Sequence, residues 1–147
     1  MRHILPFLLA LTLSPWAHAT QNISATDAWV RLPPPGAKVG AAYLTLQSKQ
    51  RISLTGAKSP AAKTVELHSM RMDQGVMLMR HLPSLQIEAG QPLKLEPGGL
   101  HLMLIDLKKP LKAGDTVQFD LNFSQGLAEG KGKTKSLRVQ AVVRAQD

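Results

Sequence analysis

VQFDLNF, residues 117–123, alternates apolar and polar side chains without a break, and LRVQAVV, residues 137–143, keeps nearly the same alternation. Val117, Phe119, Leu121 and Phe123 are the apolar set of the first stretch; Leu137, Val139, Ala141 and Val143 are that of the second. Successive side chains of an extended chain point to opposite faces, so a period of two describes strands with one face buried and one wet. Working outward, short runs of the same kind are expected as strands at residues 24–32, 41–48, 52–57, 64–72, 76–81, 85–88, 92–95 and 100–107, punctuated by Gly, Pro, Asp and Ser. No stretch sustains a helical period. The expected fold is therefore all-β, a single β-sandwich of roughly seven to ten strands with Greek-key connections. Pro33-Pro34-Pro35-Gly36 reads as a stiff surface loop, and Glu96-Pro97-Gly98-Gly99 as a turn that sets up the strand carrying His101.

Residues 1–19 have a different character. Arg2 and His3 precede an apolar run from Ile4 to Leu13, and Ala17-His18-Ala19 supplies a small-x-small cleavage pattern. This is expected to be a secretory signal peptide, cut after Ala19, leaving residues 20–147 as one domain. The run is shorter than the ~20 residues of a membrane span, so no stable membrane insertion is expected. The absence of cysteine argues against a lipid anchor and excludes a disulfide framework, leaving stability to packing. The formal charge is +8, and +7 once Arg2 is removed with the leader. That balance favours attraction to acidic partners or anionic surfaces. With few aromatics and lysines scattered through loops and strands, nucleic acid is not an expected partner.

The chemistry lies between His68 and Met103. All five methionines and all three histidines of residues 20–147 fall within these 36 positions. Asp73-Gln74-Gly75 reads as a tight hairpin turn, which places His68 and Met79 on paired strands near one level. On the strand after Gly99, His101 and Met103 share a face while Leu100, Leu102 and Leu104 point into the core. Two imidazoles and two thioethers are soft and borderline donors suited to Cu(I), so His68, Met79, His101 and Met103 are the candidate metal ligands. A blue-copper electron carrier is excluded for want of a thiolate, and a hydrolytic zinc site is disfavoured by the thioethers. No nucleophile, paired carboxylates or phosphate loop is arranged for catalysis, and no enzymatic activity is expected. Met70, Met72 and Met77 share the strand parity of the ligands and are read equally as spare thioethers or as packing. His81 is read as a surface residue, and Trp29 and Tyr43 as core or edge rather than metal site.

These residues also carry a resemblance. His68, Met79, His101 and Met103 at their intervals, with VELH (65–68) before the first and PGGLHLMLIDLKKPLKAGDTV (97–117) around the last two, resemble the periplasmic copper chaperones of the PCu(A)C family. AWVRLPPPGAKVGAAYLTL (28–46) is similar to that family's opening segment. The resemblance implies a cupredoxin-like sandwich, a periplasmic location and one Cu(I) per chain held by these four side chains. It also implies delivery of copper to cytochrome c oxidase assembly, at the subunit carrying the Cu(A) centre, alongside a thiol-bearing partner chaperone. The C-terminal LRVQAVVRAQD (137–147) lacks the His/Met-rich extension that gives some members a second, Cu(II), site.

Neutral thioethers select Cu(I) without the hold of a thiolate, which suits an ion that must be passed on. Two other readings remain open: a copper-storage or resistance protein with the same ligands, and an exported β-sandwich module that binds acidic partners through its basic face.

Overall fold

A computed structural model describes residues 22–126 and 132–145; the expected leader lies outside the described residues. Ten strands form: β1 (Ile23–Arg31), β2 (Val39–Ser48), β3 (Ile52–Lys58), β4 (Ala62–Asp73), β5 (Val76–Leu82), β6 (Leu85–Ile87), β7 (Leu93–Leu95), β8 (Leu100–Leu107), β9 (Thr116–Gln125) and β10 (Lys133–Arg144). Every run marked by its alternation is a strand. Among the described residues there is no helix, hence none long and apolar enough to cross a membrane.

The hydrogen-bonded order is β5-β4-β8-β2-β1-β10-β9-β3-β6, with β7 on β2 and a further pairing of β3 with β4 through Ala57 and Val65. Strands β4, β8, β2, β1, β10, β9 and β3 therefore close on themselves, which removes most exposed edges. Neighbours in the sheet are often distant in the chain, as Greek-key connections require. One pair is parallel, β1 with β10, which the alternation of residues gives no means to foresee.

The period of two is obeyed in the core. Val117, Phe119, Leu121 and Phe123 are buried while the side chains between them are half-exposed. Leu54, Leu102, Leu104 and Leu121 are fully enclosed, each contributing on the order of 1.5–3 kcal/mol by burial. In β1 the register shifts between Thr26 and Trp29. Asp27 takes a positive φ of 54° there, a conformation Asp tolerates better than most residues. Beyond the bulge Trp29 stands opposite Tyr43.

Candidate metal centre

The site begins with a turn. Asp73 pairs with Val76, so the hairpin has a two-residue loop, Gln74-Gly75, and both residues have positive φ, 48° and 77°. That is the demand of a type I′ turn, whose twist matches that of the flanking strands. A two-residue loop also fixes every later pair: Met72 with Met77, Met70 with Met79 and His68 with His81. The sequence reading set His68 and Met79 near one level. The register corrects this, placing Met79 two residues towards the turn.

On its other edge β4 pairs with β8, His68 opposite His101 and Glu66 opposite Met103. Directly opposed residues share a face. The face of the β5-β4-β8 sheet therefore carries a row of three imidazoles, His81, His68 and His101, with Glu66 and Met103 on one side and Met70 and Met79 on the other. Ring centroids are 5.8 Å apart for His68–His81 and 5.7 Å for His68–His101. His68 is the common neighbour of the candidate donors. His101 is directly opposite it, and Met79 and Met103 lie on its diagonals, roughly 7–8 Å away between backbones and within reach of long side chains. The two methionines lie on opposite sides of the row, so a single ion can take both sulfurs only with both side chains folded back towards His68.

The imidazoles are differently prepared. His101 is 2% exposed, with the Tyr43 ring 6.4 Å from its own. Its Nδ1–H donates to the Gly99 carbonyl at 3.1 Å, which leaves the Nε2 lone pair free. Burial lowers the His101 pKa below the usual histidine value, aided by the charges of His68 and Arg31 and opposed by the Gly99 hydrogen bond. His68 Nε2–H donates to Glu66 Oε2 at 2.9 Å, and its Nδ1 is buried without a partner. Both rings thus have one nitrogen tied to an oxygen acceptor and the other available, the arrangement by which outer partners orient metal-binding histidines. Met79 is 48% exposed and Met103 half-buried.

Among the described residues no three His, Cys, Asp or Glu side chains stand together to hold an ion. A metal centre on this face must therefore draw on thioether sulfur or solvent. Sequence reasoning missed Glu66, although its position two residues before His68 on a strand places it on the same face. It also set Tyr43 apart from the site. Tyr43 is indeed buried, but its ring packs beside His101, a contact made by the pairing of β2 with β8.

A family model described as "Putative lipoprotein LpqE-like" matches residues 23–140. The chain belongs to the LpqE-like family. A relative named "Putative lipoprotein Lxx21020", from Leifsonia xyli subsp. xyli, is 33% identical over 106 residues, 71% of this chain and 64% of that relative, so the match spans under two thirds of the relative's length. The solution structure of the Cu(I) form of DR1885 from Deinococcus radiodurans is 35% identical, with a TM-score of 0.61, over 87% of this chain and 81% of that one. Apo-DR1885 is 32% identical at the same TM-score, over 99% and 94%. The copper-bound PCuAC domain from PmoF2 has a TM-score of 0.65 at 21% identity, over 85% and 94%, a likeness of fold. The resemblance to PCu(A)C proteins read from the sequence is borne out: this LpqE-like chain has the all-β PCuAC fold.

Proposed function

We propose that this LpqE-like protein is an exported copper chaperone that carries one Cu(I) on the β5-β4-β8 face through His68, Met79, His101 and Met103. The observation that supports this most directly is the Nδ1 of His68, buried and unpartnered beside a second imidazole whose Nδ1 is already committed to Gly99. A buried lone pair without a donor is costly in an ordinary core, and a soft cation relieves that cost. The similarity to a protein solved with Cu(I) supports the same ion.

The chain's own groups set how the ion is held and released. Glu66 and Gly99 fix the ring orientations, and the Glu66 carboxylate offsets part of the charge that neutral donors leave on the ion. Met79, on the exposed hairpin, is the donor an acceptor can displace first. The acceptor we propose is the cytochrome c oxidase subunit that carries the Cu(A) centre, reached in the periplasm alone or with a thiol-bearing chaperone. Its thiolates outcompete thioethers for Cu(I).

An anaerobic Cu(I) titration against a competing chelator tests the site. The parent should bind one tight equivalent, and a Met79→Ala, Met103→Ala double variant should bind roughly 100-fold or more weakly. Equal behaviour of the two would overturn the ligand set. Mixing the loaded protein with the metal-free Cu(A) subunit then tests delivery: retention of copper on the chain would favour storage.

A further inference from the structure

The third imidazole of the row, His81, has no place in the four-donor set. It is exposed, it stands directly opposite His68, and the two rings meet edge to face with centroids 5.8 Å apart. Two imidazoles on one ion, with metal–nitrogen bonds of about 2.0 Å, have ring centres between about 4.5 Å (cis) and about 6.4 Å (trans) apart. The observed separation falls inside that range. The His68–His101 separation does so too, so His68 can share an ion with a neighbour on either side. The difference between the two sides is solvent. His101 is enclosed, whereas His81 opens to water that can fill the remaining positions of an ion. Cu(I) is satisfied by soft donors in a sheltered place, while Cu(II) prefers nitrogen and oxygen in tetragonal geometry.

We propose that His81 and His68 form a second, solvent-open site on this face that takes Cu(II), with water completing the coordination. It rests on the copper reading above only in sharing His68. The donor on His68 is Nδ1, because Nε2 is held by Glu66; that Nδ1 is itself buried, so the site meets solvent on its His81 side alone. One ion at a time occupies His68, so the face sorts copper by oxidation state: the cupric ion at the rim, the cuprous ion inside among the thioethers. No electron transfer is part of this proposal; an external reductant would convert one loaded form to the other.

The test pairs two titrations on the chain from Thr20 onwards. Copper(II) sulfate is titrated in air against glycine as competitor and followed by electron paramagnetic resonance; Cu(I) is titrated anaerobically. The His81→Ala change removes an exposed ring, and circular dichroism checks that the fold is kept. The expected result is one Cu(II) with two-nitrogen superhyperfine structure in the parent. In His81→Ala its affinity should fall about tenfold or more and one nitrogen should be lost, with Cu(I) binding altered less than about twofold. The Met79→Ala, Met103→Ala variant should show the reverse, keeping Cu(II) and losing Cu(I). Unchanged Cu(II) affinity and spectrum in His81→Ala overturn the proposal, as does a parent that binds no Cu(II). A parent that binds Cu(II) through His81 but no Cu(I) would uphold it and refute the four-donor reading instead.

Discussion

His101 shows how one residue serves both packing and chemistry. A histidine 2% exposed is tolerable because its Nδ1–H has the Gly99 carbonyl as acceptor, and because the neutral ring is the form burial favours. Its pKa lies below that of the unfolded chain, where histidine titrates near 6.5. Between those two values the unfolded state binds more protons than the folded one. Stability from this group is therefore complete above about pH 6.5 and is lost as the pH falls through the folded pKa. The metal-free protein should melt at a lower temperature at pH 5 than at pH 7.5, and His101→Gln should show a smaller drop. Thermal unfolding of both at the two pH values checks this; parallel losses would show that His101 carries none of the effect. With His101 as one of the proposed donors, proton competition with Cu(I) should likewise be displaced to lower pH than for an exposed histidine.

At the scale of the element, the β4–β5 hairpin decides whether a thioether reaches the imidazoles. Its outer part is held by its own ladder and turn, since β8 starts opposite Ser69 and the residues from Arg71 to His81 are exposed. Gly75, at φ 77° with open space where a Cβ would stand, is there for backbone reasons alone. A Gly75→Val change should cost the hairpin roughly 1–2 kcal/mol, the penalty of a side chain in the left-handed region. Because the closed set of strands does not depend on the hairpin tip, the melting temperature should move little. Cu(I) affinity should fall severalfold as Met79 loses its register. A competition titration beside a thermal melt reads both, and a large loss of stability with unchanged affinity would show that the turn matters to the fold and not to the site. The strands and this turn were legible in the sequence because each is a local pattern. The level of Met79 was legible in principle, since a two-residue loop fixes the pairing; reading the loop as three residues blurred it. The proximity of His81 to His68 follows from that same pairing. The packing of Tyr43 on His101, the closure of β3 on β4 and the parallel β1–β10 pair join residues far apart in the chain, and no local pattern carries them.

For the whole molecule the question is how a basic carrier meets its acceptor. The net charge of the chain is +8, and Lys38, Lys49, Lys58, Lys63, Lys94, Lys108, Lys109 and Lys112 are all exposed. The hairpin itself adds Arg71 and Arg80; Arg71 is only loosely paired with Asp73, at 3.7 Å. By strand parity these arginines lie on the face opposite Met79 and the histidines. They therefore do not burden a cation on that face directly, yet they travel with Met79, the donor we propose is given up first. A field of this kind speeds encounter with an acidic acceptor and is screened once the Debye length shrinks from roughly 30 Å at 0.01 M salt to a few ångströms near 1 M. The binding of Cu(I) itself is short-range and depends little on salt. Stopped-flow transfer to an acidic acceptor domain should slow about tenfold or more between 0.01 and 0.5 M NaCl. Removal by a small neutral chelator, which needs no docking, should hold its rate. If both rates fall together, salt acts on the site. If neither falls, the positive charge plays no part in meeting the acceptor, and docking rests on the exposed apolar side chains of the hairpin, Met72, Val76, Met77 and Leu78.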